Sequence, residues 1–355
     1  MRGPNEKLMI DDCGTLKNYW YVAANSKDIT GNKPFKSVIM DLPLVIWRNS
    51  KGEIAAMIDR CNHRNAPLSS GKIKDDCIIC PYHGWVYNIN GQCDHIPSEG
   101  PNHDRIPNKK LEVFPVLEKY GLCWVWMGRD MPPDLIPFEM PYFNTKGWHN
   151  YYMTTDFKNE VTDLVENFMD IPHTVSVHKG WFRDVKQICI KAEVERTNNS
   201  VLVSYDQPDD SIGFFNMLIN PKRLPLKHTD NFYMPNVTRV DYIYGENEKA
   251  FVITSTCTPV SKLKTKVYTL ITYKLGWFNI FAKFFLPWYT RKVINQDVWI
   301  MNIHGRNMKI FTSPDYKSTQ ADTMHIYIES LRRAAADCNN AAKPQPIKKQ
   351  IEFWV

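Results

Sequence analysis

Cys61-Asn62-His63-Arg64 and Cys80-Pro81-Tyr82-His83-Gly84-Trp85 are the two segments that decide the fold of the first third of this chain. Each segment offers one thiol and one imidazole, and sixteen residues separate His63 from Cys80. Thiolate and imidazole ligands together suit zinc or an iron–sulfur cluster. A zinc finger commonly pairs Cys with Cys and His with His, whereas here every segment is mixed. The pattern therefore favours a two-iron cluster, and a structural zinc module stays open as the alternative.

These two segments resemble the Rieske cluster motif, in which two thiolates hold one iron and two imidazoles hold the other. The resemblance implies that Cys61, His63, Cys80 and His83 bind a [2Fe-2S] cluster. The sequence departs from the family at Asn65, where the family usually has Gly. Asn tolerates left-handed backbone geometry, so we expect the loop to keep its shape.

Around the two segments the sequence reads as short strands separated by turns, which predicts a small all-β domain over residues 18–128. The expected strands are Leu42–Arg48, Glu53–Arg60, Cys77–Tyr87 and Leu122–Met127, with a hairpin at Asn90-Gly91. A Pro-rich stretch from Met131 to Pro141 predicts a linker. The second domain is then 129–355, with residues 1–17 as a possible part of it.

In the second domain, apolar residues at helical spacing predict a helix over Phe157–Met169 that ends before Pro172. Alternating segments from Gln187 to Lys274 predict one antiparallel sheet, and Ile280–Ile303 and Thr319–Cys338 predict late helices. The expected fold is α+β, with a small all-β Rieske domain followed by a catalytic domain whose antiparallel sheet is flanked by helices.

A second metal site is indicated by His173 and His178, five residues apart near a helix end. Two imidazoles and one carboxylate form the facial triad that non-haem Fe(II) prefers when it must bind O2. The pair alone is weak evidence. Together with the upstream motif, the string Asn167-x2-Asp170-x2-His173-x4-His178 resembles the catalytic iron motif of Rieske non-haem iron oxygenases.

The resemblance implies roles for three further residues of this sequence. Asp297, in Ile294–Trp299, matches the family's third iron ligand, and Asp322 and Asp337 are poor substitutes. Asp170 matches the residue that links the Rieske His of one subunit, here His83, with the catalytic His173 of the next, so a ring-shaped homotrimer is expected. Asn167 matches a position close to the iron in the monooxygenase-like branch, with helix-end hydrogen bonding as its alternative reading.

The resemblance implies a terminal oxygenase that receives single electrons from a reductase or ferredoxin and hydroxylates or demethylates an apolar, ring-bearing small molecule with O2. A cis-dihydroxylating dioxygenase and a Rieske electron carrier with an inactive second domain remain the alternatives. The aromatic segment 277–289 is expected to pack in the core or at a subunit interface, with a pocket wall or a membrane-surface contact as other readings.

Composition limits the partners and the location of this chain of 355 residues. Its net charge of +6 is scattered without a polybasic block, which argues against nucleic acid. No run of 18 apolar residues occurs, and Met1–Asp12 lacks the apolar core of a signal peptide. Nine cysteines favour free thiols and metal ligands over disulfides, so a cytoplasmic location is expected.

Overall fold

The computed structural model describes residues 16–100, 110–128, 137–181, 188–206, 220, 224–246, 248–311, 316–336 and 344–355. The chain divides into two compact units, Lys17–Glu139 and Met140–Val355, and Leu16 belongs to the second. The division lies after residue 139, whereas the sequence placed the domain boundary after 128. Most of the predicted linker, together with Asp337 and Cys338, lies outside the described residues.

The first unit is all-β and contains three small antiparallel sheets, with strand orders β1-β11-β10, β2-β3-β4-β9 and β5-β6-β7-β8. The strands are β1 Trp20–Asn25, β2 Phe35–Ile39, β3 Leu42–Arg48, β4 Ile54–Ile58, β5 Lys72–Lys74, β6 Cys77–Ile79, β7 Val86–Tyr87, β8 Cys93–His95, β9 Val113–Phe114, β10 Val116–Lys119 and β11 Leu122–Trp126. Trp47 and Tyr87 are fully buried in its core.

The second cluster turn and the hairpin that follows it divide the predicted strands of this unit. The segment Cys77–Tyr87 is two strands, because the turn that carries Cys80 and His83 interrupts it between β6 and β7. The predicted hairpin at Asn90-Gly91 is confirmed by the pairing of β7 with β8. Within this turn only Gly91 takes a positive φ, of 79°.

The second unit is built on one eight-stranded antiparallel sheet in the order β12-β18-β17-β16-β15-β14-β13-β19. Its strands are β12 His149–Phe157, β13 Cys189–Arg196, β14 Ser200–Asp206, β15 Leu226–Tyr233, β16 Val237–Tyr244, β17 Lys249–Ser261, β18 Lys264–Lys274 and β19 Ile347–Trp354. Its helices are α1 Val161–Asn167, α2 Pro172–Val177, α3 Asn279–Ile310 and α4 Thr323–Ala336. The expected α+β fold is confirmed.

The predicted helix Phe157–Met169 starts too early and ends too late, because the observed helix α1 runs only from Val161 to Asn167. Residues up to Phe157 extend β12, where they pair with β18 from Tyr273 to Thr265. The helix begins only at Val161, and Pro172 opens the new helix α2. Proline suits the first turn of a helix because its missing N–H has no partner to lose there. The resulting break between α1 and α2 carries Asp170 and leads into His173.

Among the described residues, no helix combines the length and the apolar character that a bilayer-spanning segment requires.

Candidate metal centres

The two segments of the first unit form matching turns. The N–H of Asn65 donates to the carbonyl of Cys61, and the N–H of Gly84 donates to the carbonyl of Cys80. Both donors have a positive φ, 59° at Asn65 and 73° at Gly84. The expectation that Asn replaces Gly without changing the loop is therefore confirmed in the backbone geometry.

The four side chains of these turns separate into a buried pair and an outer pair. Cys61 and Cys80 are both buried, and the two thiols lie close enough to hydrogen-bond each other. The rings of His63 and His83 lie 4.4 Å apart, and His83 is exposed. Two neighbouring thiols inside and two neighbouring imidazoles outside are the donor set of a Rieske cluster, whose irons differ in their ligands.

Neighbouring residues contact Cys61 and His63 and shift the pKa of His63. The Tyr87 hydroxyl lies 3.2 Å from the sulfur of Cys61 and accepts the N–H of Asn62, while His63 stacks on Trp85 with the rings 4.8 Å apart. Desolvation and the nearby charges of His83 and Arg64 lower the pKa of His63. A lower pKa favours the neutral imidazole, which is the form that binds a metal.

In the second unit, the structure brings His173, His178 and Asp297 together. One ligand atom from each lies within 4.8 Å of the other two. His173 and His178 come from α2 and its end, and Asp297 comes from the middle of α3. Oδ1 of Asp297 lies 3.1 Å from Nε2 of His178 and 3.5 Å from Nε2 of His173. Asp322 is not in this group.

Two residues orient the imidazoles. Nδ1 of His178 lies 3.0 Å from the amide oxygen of Gln296, and Nδ1 of His173 lies 3.5 Å from Oδ2 of Asp170. An amide oxygen only accepts, so Nδ1 of His178 is the donor in this contact and Nε2 is the ring nitrogen that faces the other two candidate ligands. A hydrogen bond at the ring nitrogen that does not bind the metal fixes the tautomer and the direction of a metal-binding imidazole. Sequence reasoning did not assign this role to Gln296, because the contact joins residues far apart in the chain.

The residues present fit a divalent metal ion. Two imidazole nitrogens and one carboxylate oxygen converge within 4.8 Å, with His178 and Asp297 buried, and this donor set suits Fe(II). Burial opposes protonation of His173, but Asp170 and Asp297 outweigh it and raise the pKa of His173 to about 9. Burial also opposes ionisation of Asp297, but the two histidines lower its pKa overall. The site thus attracts positive charge.

The three side chains line a cavity of about 130 Å³ whose wall presents mostly apolar surface, with serine and threonine hydroxyls among the lining groups. Asn167 lines the same cavity, and its side-chain oxygen is buried without a hydrogen bond to the described residues. This arrangement favours a role for Asn167 at the site over helix-end hydrogen bonding. His304, a further histidine of α3, lies away from the three ligands, with its Nδ1 3.8 Å from Oδ2 of Asp163.

The cavity wall also contains a buried pair of polar residues, His228 and Asp230, that was not predicted from the sequence. His228 and Asp230 lie on β15, with Nε2 of His228 at 3.1 Å from Oδ1 of Asp230. The Tyr205 hydroxyl donates to the other oxygen of Asp230 at 2.8 Å. The His228 ring packs between the rings of Tyr205 and Tyr242. Their alternate spacing along a strand gave only a weak signal, since nothing in the sequence showed which face would meet the cavity.

Comparison with known proteins identifies the first unit, since residues 19–117 match the family of the Rieske [2Fe-2S] domain. The iron–sulfur subunit of the toluene-4-sulfonate monooxygenase system of Comamonas testosteroni is 31% identical over 188 residues, 51% of this chain and 52% of that protein. The oxygenase component of dicamba O-demethylase of Stenotrophomonas maltophilia is 36% identical over 170 residues, 46% and 48% of the two chains. This chain therefore contains a Rieske [2Fe-2S] domain and is similar in sequence to two Rieske-type oxygenase components. It spans about half the length of the curated relatives that it matches.

Solved structures agree with this homology in fold. Dicamba monooxygenase bound to dicamba superposes with a TM-score of 0.77 at 21% identity, covering 90% of this chain and 97% of that chain. Pseudomonas putida NdmA with caffeine gives a TM-score of 0.72 at 22% identity, with 92% and 93% covered. The shared fold thus extends over both units of this chain, well beyond the Rieske domain.

Proposed function

We propose that this protein is a terminal oxygenase that hydroxylates a small apolar molecule or removes a methyl group from it. The observation that carries the proposal is the convergence of His173, His178 and Asp297 on an apolar cavity, in a chain that also contains a Rieske domain. The relatives named above are a monooxygenase subunit and a demethylase component by name.

Cys61, His63, Cys80 and His83 would hold the two-iron cluster, and His173, His178 and Asp297 would hold one Fe(II). When bound, the cluster supplies single electrons and the Fe(II) supplies O2 activation. The chain itself does three things. Gln296 and Asp170 keep the imidazoles directed inward, Asp297 balances the ion's charge, and the apolar cavity excludes water from the reaction.

The volume and the lining of the cavity limit which substrates can bind. Its volume of about 130 Å³ is close to the ~150 Å³ of an engineered protein cavity that binds benzene, so a single ring fits. Apolar side chains such as Val240, Ile253 and Ile271 line it. The buried pair His228 and Asp230 adds one polar contact, since a few placed polar groups fix a ligand's orientation in an apolar pocket. We therefore propose a ring-bearing substrate with one hydrogen-bonding substituent.

Electrons would come from a separate reductase or ferredoxin, and they would pass from one subunit to the next in a homotrimer. Asp170 supports this part of the proposal because its carboxylate is near His173 and yet 23% of its side chain is exposed. His83 is exposed as well, which suits a contact with a neighbouring subunit. A reducing compartment such as the cytoplasm fits the seven described cysteines, all of which are free thiols.

The decisive variant is Asp297→Ala, tested with reduced electron donor, O2 and a panel of single-ring methyl ethers and arenes. We expect product formation to fall to background and bound iron to fall from about three to about two per chain. The visible spectrum of the cluster should stay unchanged. Asp322→Ala, which alters a carboxylate outside the site, is the control and should keep wild-type turnover.

Turnover that survives in Asp297→Ala would remove the residue from the iron site. Analysis of the products separates the two kinds of oxygenation. One oxygen atom incorporated per turnover supports the proposal, and a cis-diol from every active substrate would replace it with dihydroxylation.

A further inference from the structure

The first half of α3 exposes a row of large apolar side chains. Trp277, in the turn before the helix, is 77% exposed and Phe284 is 78% exposed. A surface helix of a globular protein normally turns its apolar side inward and its polar side to water. The exposed apolar row consists of Trp277, Ile280, Phe281, Phe284 and Trp288, and we call it the aromatic stripe.

The stripe occupies one side of the helix, and the opposite side is already packed. At about 100° per residue, Ile280, Phe284, Trp288 and Phe281 fall within a sector of roughly 100°. Ala282, Leu286 and Tyr289 point the other way and are buried in the core of the second unit. The buried face, and not the stripe, therefore provides the core packing of this half of α3.

One exposed lysine lies at each edge of the aromatic stripe. On the same helical projection, Lys283 and Lys292 lie at its two edges, and both are exposed. From Trp277 to Gln296 the chain contains Lys283, Arg291 and Lys292 and neither Asp nor Glu. A surface that combines exposed aromatic rings with cations at their edges, and has no acidic residue in its segment, is complementary to an apolar layer covered by anions.

We propose that the aromatic stripe docks this protein onto the surface of a lipid bilayer that contains anionic lipids. Trp and Phe side chains settle at the boundary of headgroups and acyl chains, and lysines beside them are attracted to anionic headgroups. A second copy of this chain that paired through the same face is a poorer occupant, because Lys283 and Lys292 of one copy would meet the same lysines of the other.

The stripe also adjoins the catalytic cavity. Phe284 and Trp288 line a surface groove together with Tyr151, Tyr152 and Met153 of β12. Met153 lines the catalytic cavity as well. A docked protein would thus present this side of the cavity to the bilayer, where apolar molecules concentrate. This consequence rests on the proposed function, whereas the docking itself does not.

Vesicle flotation of the purified full-length protein tests the proposal without any activity assay. Vesicles of phosphatidylcholine alone are compared with vesicles that contain 30% phosphatidylglycerol, at 0.1 M salt. We expect binding to the anionic vesicles and much weaker binding to the neutral ones. Ile280→Gln, Phe281→Gln and Phe284→Gln combined should lower the partition coefficient by about 100-fold, because each side chain loses its transfer into the interface.

Lys283→Gln with Lys292→Gln should lower binding to anionic vesicles by about 30-fold, since each lysine near such a surface contributes about fivefold. The controls remove similar side chains elsewhere on the surface. Ile310→Gln, Phe311→Gln and Ile326→Gln change three exposed apolar residues, and Lys227→Gln with Lys309→Gln changes two exposed lysines. Both controls should bind as the wild type does.

Light scattering measures the oligomeric state and so tests whether the stripe instead joins two copies of this chain. If the wild type fails to float with anionic vesicles, the proposal is overturned. It is also overturned if the stripe variants float as well as the wild type, or if they convert an oligomer into monomers while the wild type ignores vesicles. The last result would assign the stripe to a contact between copies of this chain. Because cluster and iron content are measured on the same samples, failure of docking is separate from failure of the proposed function.

Discussion

Single residues explain how the second unit prepares a metal site. Gln296 accepts from Nδ1 of His178, the Asp170 carboxylate lies 3.5 Å from Nδ1 of His173, and both Nε2 atoms lie within 3.5 Å of the carboxylate of Asp297. The two imidazoles and the carboxylate were predicted from the sequence together with the family resemblance. Gln296 and the pair of His228 and Asp230 were not assigned, because their roles depend on contacts between residues that the sequence does not place together.

Asp170→Asn tests the proposed electron path at the residue scale. The amide keeps the shape of the side chain but loses the charge beside His173, so both metal sites should stay filled. We expect the single-turnover rate of cluster oxidation to fall by about 10- to 100-fold, the usual cost of losing a contact to a ligand. Asp156→Asn alters an exposed carboxylate on β12 and serves as the control. Wild-type kinetics in Asp170→Asn would contradict the path.

Glu166 gives a pH prediction. Burial, followed by the negative charges of Asp163 and Glu329, raises the pKa of Glu166 from 4.5 to about 8. The folded state then holds a proton that the unfolded state releases above pH 4.5, so Glu166 lowers the unfolding free energy as pH rises from about 5 to about 8.5. The loss is at most about 5 kcal/mol, at 1.36 kcal/mol per pKa unit.

Glu166→Gln should remove this part of the pH dependence, because glutamine cannot ionise. Urea unfolding at pH 5.5 and pH 8.5 measures it, and the variant should be the more stable protein at the higher pH. Glu352→Gln, at an exposed position on β19, should leave the pH dependence as it is. Equal slopes for Glu166→Gln and the wild type would show that Glu166 is ionised in the folded protein.

At the scale of elements, the strands around the cluster turns were predictable from local patterns, and several elements of the second unit were not. Phe157 has helical neighbours in the sequence but pairs with Thr265 as the last residue of β12. The strand β19 was missed because its charged residues hide the pattern, and its pairing with β13 joins Cys189 to Trp354. Such pairings depend on residues distant in sequence, which outweigh local propensity.

Gly305 shows how tightly α3 lies against the end of β12. A Cβ at Gly305 would come within 2.2 Å of the carbonyl oxygen of Lys158. Gly to Ala in a helix normally stabilises a protein, because alanine loses less backbone freedom on folding. Here we expect Gly305→Ala to lower the unfolding free energy by about 1–3 kcal/mol, as overpacking does.

Urea unfolding of Gly305→Ala and of Asn307→Ala makes the comparison on the same helix. Asn307 is exposed, so its replacement should change stability by less than about 0.5 kcal/mol. If Gly305→Ala proved more stable than the wild type, α3 would not be held by this close approach, and the position of Asp297 on it would need another explanation.

At the scale of the whole molecule, each of the two units carries one candidate metal site. The first unit is a Rieske domain, and the second brings three ligand residues to an apolar cavity. Local patterns predicted the α+β class, and the family resemblance added the order of a Rieske domain followed by a catalytic domain. The substrate was not predictable, because the cavity wall is assembled from β15 to β18 and from helices far along the chain.

Metal and sulfide analysis with low-temperature EPR of anaerobically purified protein tests the central claim most directly. The account predicts about three irons and about two acid-labile sulfides per chain, with a Rieske signal after reduction. Two irons with that signal would leave an electron carrier without a catalytic iron. A colourless protein that contains zinc would contradict the account at both sites.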